Sequence, residues 1–119
     1  MTRTEEFKNR TKQFALRVIK LFRALPRTEE ARVIGRQLLR SGTSVGANYR
    51  AACRGRSRPE FIAKLGIVVE ELDESVYWLE LLVESEIVPA ERLALLTKES
   101  NELLAIFAAA QLTARAGKS

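Results

Sequence analysis

Arg32, Arg36, Arg40, Arg50 and Arg54 fall on one side of a single helical wheel, with Arg56 and Arg58 just beyond them. At about 100° per residue, Arg32 and Arg50 share an azimuth about five turns apart, as do Arg36 and Arg54. No acidic residue interrupts the stretch from Arg32 to Arg58, and every cation in it is arginine. Guanidinium forks match phosphate oxygens in pairs, so the row predicts contact with an RNA or DNA backbone over about 27 Å. Most charged helix faces are merely solvated. This one stands apart through its exclusive use of arginine, its lack of acids and its one-sidedness. No aromatic residue interleaves with the row, so reading of individual bases is not expected.

Other chemistries find no footing. The chain has no histidine and a single cysteine, Cys53, which rules out Ser-His-Asp and Cys-His nucleophiles and any histidine-ligated zinc. Glu70 and Glu74 sit one turn apart as in bundle metal sites, but the Glu-x-x-His partners are missing. No metal, no cofactor and no enzymatic activity are therefore expected. Asn48 falls on an apolar seam, where a polar side chain serves to fix helix register. Ser41, Ser75 and Ser100 also fall on seams and read as packing residues bonded to the preceding turn.

These residues need helices to hold them, and the chain offers four. Phe7, Thr11, Phe14, Val18, Leu21 and Leu25 recur at spacings of four and three, giving a helix over residues 4–25 that Pro26 ends. Thr28 reads as an N-cap followed by two acids. From it a seam of Ile34, Leu38, Ser41, Val45, Asn48 and Ala52 keeps its phase to about residue 56. Gly42 and Gly46 each cost about 1 kcal/mol in a helix, yet with Gly35 and Cys53 they form a strip of small residues that lets another backbone approach closely. Their spacing is neither a Walker loop nor a dinucleotide fingerprint, so an unbroken helix is expected. Ser57-Arg58-Pro59-Glu60 resembles a capping box and opens a helix over 59–85 with a seam from Phe61 to Leu82. On its far side lie Ile67, Glu74, Tyr77, Trp78 and Leu81, an expected subunit interface with Tyr77 and Trp78 as anchors. Pro89 opens the last helix, over 89–114, and Gly117-Lys118-Ser119 reads as a frayed tail. Links of three to five residues favour an antiparallel, up-down-up-down four-helix bundle in one domain over residues 1–119.

Net charge is +5, but it is unevenly held: residues 1–58 carry 15 Lys/Arg against four Glu, residues 59–119 five against eleven acids. Such asymmetry suits either a polyanion face on the first half or oppositely charged surfaces that meet within or between subunits. No apolar run is long enough to span a membrane, no helix pairs a basic face with an exposed Trp or Leu strip, and the N-terminus lacks a signal segment. A cytoplasmic location without membrane attachment is expected.

RSGTSVGANYR at residues 40–50 and EFIAKLGIVVEELDESVYWLELL at residues 60–82 resemble the four-helix bundle proteins encoded in intervening sequences of bacterial 23S ribosomal RNA. That family is similar in fold to the accessory variability protein of diversity-generating retroelements. The resemblance implies a ring-shaped homo-oligomer, a pentamer, with a positively charged surface for nucleic acid and a reverse transcriptase as a possible partner. Relatives commonly carry an acid after the Tyr-Arg pair, where this chain has Ala51 and Ala52, leaving its second helix more basic. Sequence therefore predicts a non-enzymatic, oligomeric, nucleic-acid-binding bundle. The alternative is an assembly adaptor, for a reverse transcriptase for example, whose arginines meet acidic protein faces.

Overall fold

A computed structural model describes residues 2–117; Lys118 and Ser119, expected in the tail, lie outside them. Four helices account for nearly all of this span, and no strand occurs among the described residues. Each start and stop has a local cause. The first helix, α1 (Arg3–Ala24), opens on a reciprocal capping box between Thr2 and Glu5, which satisfies two backbone donors that the first turn leaves unpaired. It stops where Leu25 turns extended (ψ 147°) ahead of Pro26, as a residue preceding proline must.

Thr28 caps α2 (Glu29–Cys53) by accepting from the Ala31 amide, and the helix runs unbroken through Gly42 and Gly46. It closes at Cys53, short of the expected residue 56. There Arg54 and Gly55 turn their amides back onto the Ala51 and Ala52 carbonyls, while Ser57 goes extended to cap α3 (Arg58–Glu84) through the Glu60 amide at 3.2 Å. Arg54 is thus a C-cap, Arg56 lies in the link, and Arg58 begins α3. A final helix, α4 (Ala90–Arg115), follows Pro89 without a side-chain cap.

The helices pack as a bundle about 46 Å long. α1 lies on α2, α2 on α3 and α3 on α4, and α4 meets α1 along a narrower seam. Phe14, Val18, Leu38, Val45, Leu65, Val68, Leu72, Leu79, Leu82 and Leu103 are almost wholly buried in one continuous core. Their spacings of three, four and seven are those read from sequence. On α2 the buried face differs from the expected seam: Tyr49 is inside and Asn48 only half-buried. Tyr49 follows Val45 by four residues, which turns it toward the Phe107 ring at 5.0 Å. Asn48 follows by three and sits at the edge, its amide donating to the Ser44 carbonyl at 2.9 Å. A register-fixing role for Asn48 across helices is therefore replaced by a bond within its own helix.

The glycine strip does what its small size allows. A Cβ on Gly42 would come within 2.9 Å of Val18, and one on Gly46 within 3.2 Å of the Thr11 hydroxyl and 3.5 Å of the Thr11 backbone. Only bare backbone lets α1 lie this close. On the α3 side, Ser41 and Ser75 share a buried hydrogen bond of 2.8 Å, with Ser75 donating in turn to the Glu71 carbonyl at 2.8 Å, which leaves the Ser41 proton for Ser75.

Candidate functional site

Viewed down α2 with Leu38 at zero, Gly35, Gly42 and Gly46 lie at roughly 40–80° and touch α1, whereas Ser41 and Ser44 lie at roughly −60 to −120° and touch α3. The arginine row spans roughly 120–200° between those neighbours. Its members therefore meet three different environments, a division that the helical wheel alone does not reveal.

Arg40, at the α3 edge of the row, ion pairs with both Glu71 (3.0 Å) and Glu74. Glu71 also accepts from the Ser44 hydroxyl, and Glu74 from the Trp78 indole at 3.1 Å. The Arg40 guanidinium, followed by the Trp78 donor, holds the Glu74 carboxyl below its usual range, and the Arg40 pKa is raised in return, chiefly by its bond to Glu74. Arg40 is thereby neutralised within the chain, and its expected role toward phosphate is correspondingly diminished. At the α1 edge, Arg32 is half-buried with its guanidinium 4.9 Å from the Phe22 ring centre, a cation–π contact that leaves its charge uncompensated.

Arg36, Arg50, Arg54, Arg56 and Arg58 are exposed. Among the described residues none of the five guanidiniums has a carboxylate within 4.0 Å, although the Arg56 backbone amide donates to the Glu60 carboxylate at 3.0 Å; the described ion pairs are those of Arg40 and those of Arg10 with Glu99 and Glu102. The uncompensated charge is thus spread along α2 and gathers at its C-terminal end and in the link to α3. Cations near a helix C-terminus are favoured there by its dipole.

Of the residues expected at a subunit interface, Tyr77 is the exposed one, at 53%. Trp78 is half-buried against the chain's own core and stacks edge-on with Tyr77 at 5.0 Å. Ile67 and Leu81 are also half-buried, and Glu74 is engaged with Arg40 and Trp78. Two features escaped the sequence reading. One is the tie of Arg10 to Glu99 (2.6 Å) across α1 and α4, which no local spacing announces. The other is a pair of lysines, Lys8 and Lys12, placed beside Arg50; their i, i+4 spacing was the available signal.

No described helix is long and apolar enough to cross a membrane. The profile of the 23S rRNA-intervening sequence proteins matches residues 3–109. The fold is similar to the crystal structure of a protein of unknown function from the S23 ribosomal protein family of Bacteroides thetaiotaomicron. The two are 35% identical, the match covers 94% of this chain and 100% of that one, and the TM-score is 0.86. No curated protein matches the chain. With all four helices and nearly the whole length accounted for, the chain belongs to the 23S rRNA-intervening sequence protein family.

Proposed function

We propose that this protein is a non-enzymatic, oligomeric bundle of up-down-up-down topology that binds RNA or DNA through phosphate contacts from Arg32, Arg36, Arg50, Arg54, Arg56 and Arg58. The observation that carries the reading is a set of guanidiniums without a carboxylate partner among the described residues, five exposed and Arg32 half-buried, that runs along α2 and the link to the first residue of α3. Each can take a phosphate oxygen pair without first breaking an ion pair. Arg40 differs, since a phosphate there competes with two carboxylates already in place. The proposed topology is supported by Phe7 facing Phe107 and by Arg10 reaching Glu99 and Glu102, which put the start of α1 beside the end of α4. Self-association into a ring, with Tyr77 in the contact, is supported by that ring's 53% exposure and by the resemblance to the retroelement accessory protein.

Changing Arg36, Arg50, Arg54 and Arg56 together to Gln tests the reading by fluorescence anisotropy with labelled RNA and DNA of mixed sequence. The expected result is a loss of about a hundredfold or more in affinity and a salt slope shallower by about three. Unchanged affinity and slope would contradict it. The Arg40 bridge favours one second reading, in which arginines of this chain meet acidic protein faces, as in an adaptor for a reverse transcriptase. On that reading the wild-type protein shifts no nucleic acid at physiological salt.

A further inference from the structure

Lys8 and Lys12 of α1 and Arg50 of α2 line the walls of one recess of about 310 Å³, whose floor is made by Gly46, Ala47, Thr11, Ala15 and Thr43. Lys12 and Arg50 are exposed and Lys8 is half-buried. Among the described residues no carboxylate lies within 4.0 Å of any of the three. Glu6 is the acid nearest to Lys8 along α1, and its charge acts on Arg10; Glu5, one turn before Lys8, has its carboxylate drawn toward the Thr2 amide in the capping box. Neither hydroxyl on the floor offers its proton to a ligand: Thr11 donates to the Phe7 carbonyl at 2.7 Å and Thr43 to the Leu39 carbonyl at 2.6 Å. Recognition in this recess thus falls to the three cations.

Like charges one turn apart on a helix destabilise it, and Arg50 adds a third positive charge across the groove. An anion between the walls relieves that repulsion. The floor is low because Gly46 has no side chain and Ala47 little, so a chain of phosphates can settle between the two helices and meet cations from both sides. We infer that the groove between α1 and α2 seats a stretch of nucleic-acid backbone, with Lys8 and Lys12 supplying one wall of the site and Arg50 the other. This rests on the nucleic-acid reading above and extends it to a second helix.

The test is anisotropy of the full chain with a labelled mixed-sequence RNA across a salt series, comparing wild type with Lys8→Gln/Lys12→Gln, Lys8→Arg/Lys12→Arg, Ala47→Glu and a control on α4, Lys98→Gln. The expected result is about a tenfold loss for the Lys-to-Gln pair, with a salt slope shallower by about 1.4–1.8, as two lost phosphate contacts require. The arginine pair and the control bind as wild type, and Ala47→Glu weakens binding. Melting of the Lys-to-Gln pair at or above the wild-type temperature separates lost binding from lost folding. If that pair binds as wild type while Arg36→Gln/Arg54→Gln/Arg56→Gln loses affinity, the groove assignment falls and the α2 face stands. If wild type binds neither RNA nor DNA, or binds only phosphatidylserine vesicles, both fall.

Discussion

Tyr49 packs its ring against Phe107, and burial, with the Cys53 thiol alongside, pushes its hydroxyl up to about 12 from an ordinary value of 10.0. Between those values the folded chain keeps a proton that the unfolded chain releases. The stability tied to that proton is therefore whole below about pH 10 and is lost as pH rises toward 12. Tyr49→Phe is expected to flatten the fall of the melting temperature across that window. Ser100 presents the opposite case: its hydroxyl is fully buried and finds no partner among the described residues. Leaving such a group unpaired costs about 1–3 kcal/mol, so Ser100→Ala is expected to raise the melting temperature. Gly42→Ala should lower it even though alanine is the better helix former by about 1 kcal/mol. Its Cβ would sit 2.9 Å from Val18, a stiff, fully buried side chain with nowhere to move. Thermal melts of the three variants, taken for Tyr49→Phe as a series from pH 10 to 12, check all of these signs.

At the level of elements, helix existence and the positions of most core residues followed from spacing, because a 3.6-residue period and the caps Thr28 and Ser57 are local signals. Which neighbour each flank meets is not local. That is why the arginine row reads as uniform on a wheel but divides between Glu71 and Glu74 on one side and Phe22, Lys8 and Lys12 on the other. The same gap hid the identity of the buried residue after Val45, since Asn48 and Tyr49 both lie within the seam's angular width until α4 brings Phe107 to one of them. The α3–α4 link adds one element-scale prediction. Glu86 sits at φ 63°, with its amide bonded to the Val83 carbonyl and that of Ile87 to the Leu82 carbonyl, an arrangement that ordinarily takes glycine at the left-handed position. Glu86→Gly is expected to stabilise the fold by about 1 kcal/mol, read from the shift in denaturation midpoint.

Over the whole molecule, the split between a basic first half and an acidic second half resolves into two uses of charge. Part of it is spent holding the bundle together, through Arg10 with Glu99 and Arg40 with Glu71 and Glu74. The remainder lies along α2 and the link, and in the recess shared with α1, without acidic partners among the described residues. On the proposed function this division separates structural arginines from those that would bind, and Arg40→Gln set beside Arg54→Gln tests it most directly. Arg54→Gln is expected to weaken RNA binding, to reduce the salt slope by about one and to leave the melting temperature in place. Arg40→Gln is expected to lower the melting temperature while leaving the slope unchanged. Equal loss of slope in both variants, or a loss confined to Arg40→Gln, would contradict the account.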